Sequence, residues 1–457
     1  MDEVEYLIAG GGPTGLGAAH KLMEHDREWM LCEGANQFGG LAASVLDENG
    51  YTWDLGGHVL FSHYDEFDRF MIQALGEDGW FHHRRESWVW IRNRFVPYPF
   101  QYNLHRLDPA DCWECVRGLL EVEHALADDR AEVRNFRDWI YRTFGTGIAE
   151  LFMLPYNRKV WAKPLEAMDY TWIAERVAVP SLEEVLHGVC TGTDHISWGP
   201  NRHFRFPRRG GTGAIWTALG RQLPQHQCRL NAVLEHINVP ARIARLGDGT
   251  KIKYGKLIST LPLDELVEMD DGLKEMPGRE LISSGTHVTG FGFEGAPPDR
   301  LRTKCWMYFP EQNSPYYRVT VFSNYSYFNV PQDKPRWSLM AETSVDSSRP
   351  VDKEALIDWT LRAMREDHLI PDTLQADTVF HHHLPKAYPT PYTGRNQAVD
   401  PLLQHLEARN IYSRGRFGAW KYETGNMDHC FMQGYECAER LVLSAGRERE
   451  PTLFSSC

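Results

Sequence analysis

The stretch EYLIAGGGPTGLGAAHKLMEHDREWMLCEG, residues 5–34, constrains the fold more than any other. It reads as an apolar strand, a tight glycine turn, a helix and a second apolar strand. The pattern Gly10-x-Gly12-x-x-Gly15 sits on the turn. Gly10 permits the turn, Gly12 lets a pyrophosphate approach the backbone, and Gly15 lets helix and strand pack closely. Glu33 closes the second strand, where a carboxylate holds a ribose hydroxyl. The motif alone is weak, but here it stands in a complete βαβ context. NQFGGLAAS follows at once, and Gly39 and Gly40 bring backbone amides toward the phosphates a second time. A glycine pair after the acidic residue points to FAD rather than NAD.

The rest of the 457 residues divides by pattern. The expected class is α/β: a discontinuous, Rossmann-like FAD-binding domain with an inserted helical domain and an antiparallel β-sheet domain. The expected pieces are residues 1–80, 201–280 and 396–457 for the FAD domain, 81–200 for a mainly helical domain, and 281–395 for the sheet. FRDWIYRTFGTGIAELFMLPYNRKVW and YTWIAERVAVPSLEEVLHGV have helical periodicity. ARIARLGDGTKIKYGKLIST reads as a hairpin around Gly247–Gly249. THVTGFGFEG, KCWMYFP, YYRVTVFSNYS and RWSLMAETS alternate as strands do, with a helix, KEALIDWTLRAMRE, among them. The close of the chain is strand, loop and helix, returning to the FAD domain.

A net charge of −13 argues against nucleic acid and anionic membranes as partners. Nine scattered cysteines fit a reducing, cytoplasmic compartment. Cys112 and Cys115 form the only CxxC, read as a structural thiol pair on a helix. The first strand starts near Glu5, leaving no room for a signal peptide, and no apolar run is long enough for a membrane span.

Neither GxSxG nor HExxH occurs, so hydrolytic triads and zinc catalysis lack support. His381–His383 in an extended segment point to opposite faces and do not converge on one ion; His82–His83 is read the same way, so no metal is expected. FVPYPFQYN carries Tyr98, Phe100 and Gln101, a stiff aromatic segment with an amide suited either to a base or to plain packing. Arg176 and Arg318 lie in apolar surroundings and need anionic partners, usually a protein carboxylate. Tyr308, Tyr325, Tyr388 and Tyr422 offer phenols for phosphate or sugar oxygens, or edges for the core. In WDLGGHVLFSHYDEF, Gly56 and Gly57 bare the backbone beside His58, as close approach to a flavin edge requires.

Together, DLGGHVLFSHY, VPYPFQ, GTGIAELFMLPYNRKVWA, ERVAVP, WGPN, FRFPRRGGTGAIW, KCWMYFPE, FSNYS, YPTPY and SRGRFGAWKYETGNMDH resemble the UDP-galactopyranose mutases of the eukaryotic, fungal and protozoan type, in order and spacing, from about Glu5 to Val442. The resemblance implies interconversion of UDP-galactopyranose and UDP-galactofuranose through a covalent flavin N5–sugar adduct. FAD must be reduced, NAD(P)H is the reductant, and there is no net redox change. Carried over by motif, Arg176 and Arg318 would hold the diphosphate, with Tyr308, Tyr388 and Tyr422 adding phenolic bonds. Tyr98, Phe100, Gln101, Phe152 and Tyr156 would form the uridine pocket, and Asn157, Trp161, Asn201 and Trp306 would border the sugar. Arg416, Asn426 and Asp428 would complete the FAD site, and Arg85, Ser87 and Arg416 would receive NADPH. His58 would act through its backbone carbonyl toward N5, with no acid–base role for its ring. Two departures stand out: the chain is short between Asn329 and Trp337, and His382–His383 and Lys421 replace expected arginines. The same chemistry on another nucleotide sugar, a flavin oxidase and an inert UDP-binding protein are the competing readings. The oligomeric state is left open.

Overall fold

The computed structural model describes residues 1–128, 132–173, 177–195, 202–276, 281–346 and 349–454. Strand Asp2–Ala9 runs through the middle of the first sheet, parallel to Trp29–Cys32 on one side and Lys251–Ser259 on the other. Tyr6, Leu7, Ile8 and Ala9 are each no more than 2% exposed, the burial a parallel strand needs when both faces are covered. Cys228–Arg229 extends one edge, and Ile411–Ser413 pairs with the last residues of Lys251–Ser259. The expected hairpin is present: Ile243–Leu246 turns back antiparallel onto Lys251–Ser259, with Leu234–Asn238 outside it.

Helix Pro13–Glu24 follows the glycine turn, with proline at its start, where a missing N–H costs nothing. Helix Met427–Leu443, from the far end of the chain, lies against it. A Cβ on Gly17 would stand 2.2 Å from the Phe431 carbonyl oxygen, and one on Gly434 would stand 1.8 Å from that of Thr14. The two backbones touch, which only glycine allows.

The second sheet has seven strands in the order Thr378–Pro389, Ser283–Glu294, Arg336–Asp346, Arg318–Val321, Trp306–Tyr308, Ser87–Ile91, Arg94–Pro97. Strands Ser283–Glu294, Trp306–Tyr308, Arg318–Val321 and Arg336–Asp346 fall in the four expected segments, though their burial is nearly continuous rather than alternating, and helix Lys353–Glu366 matches KEALIDWTLRAMRE residue for residue. Two features correct the sequence reading. Residues 81–97 were expected in a mainly helical segment but lie in or between strands Trp80–Arg84, Ser87–Ile91 and Arg94–Pro97. The last two make a hairpin whose turn residues, Arg92 and Asn93, both have positive φ (52° and 57°). A turn of that kind is usually signalled by glycine, which is missing here. In addition, Ser87–Ile91 joins Trp306–Tyr308 in parallel, so the sheet is not wholly antiparallel.

The helical layer starts at Pro109, with helices Pro109–Asp128, Phe136–Ile148 and Leu154–Trp161, the last two joined by a π-helical turn, Ala149–Met153. Phe136, Ile140, Phe144 and Ile148, spaced by four, are at most 1% exposed and form its core stripe. Among the described residues of YTWIAERVAVPSLEEVLHGV, the helix is confined to the second half. Helix Leu182–Thr191 begins at a capping box between Ser181 and Glu184, just after Pro180, which disfavours helical backbone in the residue before it.

Candidate functional site

A cavity of about 640 Å³ opens between the two sheets. Gly10, Gly12, Glu33 and Gly40 line it, together with Gly56, Gly57 and His58 and with Arg318, Glu342, Tyr388, Arg416 and Tyr422. The glycine turn packs tightly and bares its backbone to the cavity. Gly10 has φ +104°, and a Cβ on Gly15 would stand 1.9 Å from the Gly10 carbonyl, so Gly15 serves packing rather than contact. The Glu33 carboxylate accepts from the backbone N–H of Gly11 (2.6 Å) and Ala35 (2.7 Å), which fixes it at the rim. Gly39 donates its N–H to Gly11 at 3.0 Å, tying the second glycine pair to the first. Asn426 lines the cavity as the residue preceding helix Met427–Leu443. Asp428 lines it too, but its carboxylate accepts from the His429 N–H (2.8 Å) and lies 2.6 Å from His63 Nδ1. Burial works to raise this carboxyl, and the two histidines override it and hold it well below the usual range. His63, Asp428 and His429 bring three donor atoms within 4.8 Å, a cluster the sequence reading did not anticipate.

At the centre, Gly56 has φ +149°, a left-handed region that favours glycine. His58 Nδ1 is shut from solvent without a hydrogen-bond partner, and burial pushes the ring's pKa down to about 4, so the imidazole is neutral. Gly57 faces an ion pair. A Cβ there would lie 2.8 Å from Thr320 Oγ1, 3.0 Å from Glu342 Oε2 and 3.2 Å from Arg318 Cζ. Arg318 and Glu342 are directly opposed on neighbouring antiparallel strands. The guanidinium donates through Nη2 to Oε1 (2.7 Å) and through Nε to Oε2. The Glu342 side chain is 3% exposed, while Arg318 keeps 21% of its side chain open. Burial works against both charges, and their mutual attraction overrides it: the carboxyl lies below its usual range and the guanidinium above. Tyr317 donates to Glu342 Oε1 (3.1 Å) and meets the Tyr388 hydroxyl at 3.0 Å. Arg416 donates to the carbonyls of Ala387 (3.0 Å) and Gly425 (2.9 Å), with its guanidinium 5.1 Å and 5.5 Å from the ring centroids of Tyr388 and Tyr422.

An aromatic wall stands beside the cavity. Phe100 stacks on Phe152 (4.7 Å), Phe152 on Tyr156 (5.3 Å), and Tyr156 and Tyr98 both pack against Tyr308 (5.3 Å and 5.0 Å). Trp161 reaches Tyr422 at 4.8 Å and Tyr388 at 6.0 Å, which joins this wall to the cavity. Gln101 is 1% exposed; its Nε2 donates to the Ala178 carbonyl (2.5 Å), and its Oε1 has no partner. Asn157 donates to the Met153 carbonyl (2.8 Å). Arg85 donates to Ser87 Oγ (2.9 Å), and its guanidinium lies 5.0 Å and 5.1 Å from the rings of Trp306 and Tyr98, outside the cavity lining. Arg176 and Asn201 lie outside the described residues.

A model of the flavin-containing amine oxidoreductases matches residues 13–442. A crystal structure of reduced UDP-galactopyranose mutase is 43% identical, with a TM-score of 0.94 over 99% of this chain and 96% of the other. The chain belongs to the UDP-galactopyranose mutases. Putrescine oxidase bound to putrescine (14% identity, TM-score 0.62, 96% and 99% covered) and a CLA-producing fatty acid isomerase from P. acnes (12%, 0.61, 96% and 98%) share the fold alone. The mutase cavity, with its two glycine pairs, Glu33 rim and bare Gly56–Gly57 edge, fits FAD. Sequence reasoning named Arg318 but not Glu342 or Tyr317, which the structure sets together with it. Their signal was the stated need of Arg318 for an anion, met 24 residues away across a strand pair.

Proposed function

We propose that this chain interconverts UDP-galactopyranose and UDP-galactofuranose, with FAD reduced by NAD(P)H. The observation that carries the reading is that the Gly56–His58 edge and the Arg318, Tyr388, Arg416 and Tyr422 cluster line one cavity. Bound reduced FAD would supply the nucleophilic N5 for the covalent step. Among the described residues that line the cavity, Cys430 is the one thiol, and burial pushes it up to about 11, which makes it a poor nucleophile.

Arg318 gives Nε and Nη2 to Glu342, which leaves Nη1 for a diphosphate oxygen. A fixed cation aimed at the departing phosphate stabilises the charge that develops there. Burial raises Tyr388 above the usual phenol range, so it stays protonated and acts as a donor. The neutral His58 ring makes no proton transfer; its place in the turn sets the backbone beside the sugar. The Tyr98, Phe100, Phe152 and Tyr156 wall, with the unpartnered Oε1 of Gln101, suits a base and one of its N–H groups. Arg176 and Asn201 belong to the same proposal as phosphate and sugar contacts. Arg85, Ser87 and Arg416 belong to it as the receiving groups for NAD(P)H.

Among the described residues no helix is long and apolar enough to cross a membrane. A cytoplasmic location is part of the proposal, and the eight described cysteines, all free, are in keeping with it. The test is direct. The holoprotein is reduced with dithionite under nitrogen, UDP-galactofuranose is added, and nucleotide sugars are followed by chromatography. Conversion to UDP-galactopyranose in the reduced sample and not in the oxidised one is expected. No conversion in either, with FAD bound, overturns the reading.

A further inference from the structure

The Arg318–Glu342 pair gathers more than one donor. An ionised carboxylate only accepts hydrogen bonds. Tyr317, 3.1 Å from Glu342 Oε1, must therefore donate to it, and its oxygen is left to accept the O–H of Tyr388 at 3.0 Å. The Gly57 backbone N–H also favours the charged form of the same carboxylate. One enclosed anion thus holds Arg318 directly and Tyr388 through Tyr317, the two described side chains of the cavity best suited to a diphosphate. Its −1 charge also offsets the cation such a ligand would seek.

We propose that Glu342 is an internal competitor for the diphosphate of the bound nucleotide sugar, and that it sets the affinity of the site by holding Arg318 and Tyr388 when no ligand is there. The inference rests on the diphosphate reading of Arg318. Incoming diphosphate must draw the Tyr388 O–H away from Tyr317 and meets the remaining Nη1 of Arg318 beside a fixed negative charge, so part of its attraction is cancelled. The chemical gain is a site that does not trap UDP. Binding energy spent equally on substrate and transition state does not speed the chemical step. Glu342 is thus an affinity-setting and positioning residue that need not touch the sugar.

The variant is Glu342→Gln, made in the FAD-loaded protein, with UDP binding to the oxidised form measured by calorimetry. The Gln side chain keeps the size and loses the charge. UDP is expected to bind about tenfold more tightly, the fold-change of one modest charge interaction, with FAD content unchanged. KM for UDP-galactofuranose is expected to fall while kcat does not rise. In the double variant Glu342→Gln/Arg318→Ala the gain is expected to vanish. Glu342→Asp keeps a charge in place and guards against a folding failure of the Gln variant; it is expected to bind UDP with an affinity between the two. If the wild type binds UDP and both Gln and Asp variants bind it equally or more weakly, the competition is refuted and Glu342 only props the arginine. If the wild type itself fails to bind UDP, the diphosphate reading fails first.

Discussion

Replacing Gly57 with alanine tests whether the bare backbone at the centre of the site exists for the ion pair. The added Cβ would meet Thr320 Oγ1 at 2.8 Å, Glu342 Oε2 at 3.0 Å and Arg318 Cζ at 3.2 Å. Carbon atoms rest at about 3.5–4.0 Å from their neighbours, so several tenths of an ångström must be found. Thr320 can turn its unpartnered hydroxyl away, but Arg318 and Glu342 are held by each other, by Tyr317 and by the sheet. The cost falls on the pair, at about 1–3 kcal/mol for overpacking a filled site. If that cost is borne by the diphosphate site, UDP affinity falls by about 5- to 150-fold. The assay is UDP calorimetry on protein whose FAD content is checked by absorbance. Thr320→Ala in the same chain removes the hydroxyl obstacle alone and is expected to restore little. Wild-type UDP affinity in Gly57→Ala, or full rescue by Thr320→Ala, refutes the argument.

Arg318→Ala is expected to weaken UDP binding by about 2–5 kcal/mol in calorimetry with FAD content intact, and to lower the melting temperature because it strands Glu342 inside. Arg85→Ala is expected to slow flavin reduction by NADPH in stopped-flow absorbance and to leave dithionite-driven turnover near normal. His20 and His58 have pKa values pushed down to about 4 by burial, from an ordinary 6.5. The unfolded chain therefore takes up protons first, so their contribution to stability is full above about pH 6.5 and is lost as pH falls toward 4. Melting curves across that window are expected to show this slope, and His20→Gln to flatten it. The pH profile of kcat/KM is expected to carry no limb near 6.5 from His58.

What the sequence revealed depended on range. The glycine turn, Glu33 and the helix at Lys353–Glu366 are encoded within single segments, and local pattern was enough. The hairpin at Ser87–Pro97 was hidden because its turn uses Arg92 and Asn93 in left-handed backbone without a glycine. Arg318 stood out as a charge among apolar residues, and its need for an anion followed. Which anion did not follow, because Glu342 becomes its neighbour only when Arg318–Val321 and Arg336–Asp346 pair in one register. The approach of His63 to Asp428 spans 365 positions and leaves no local trace at all.

The backbone contact between helices Pro13–Glu24 and Met427–Leu443 has a consequence for how the chain is made. Lys21 donates to the Tyr435 hydroxyl at 3.1 Å, across 414 positions. At about 5–20 residues per second, a ribosome takes about 20–80 s to cover that distance. For all of that time the first helix and its glycine turn have been synthesised but lack their cover. The cavity is thus completed by a segment made more than 400 residues after the first helix. Until then the first helix carries an open apolar flank, and the glycine turn takes its final surroundings only after most of the chain has been made.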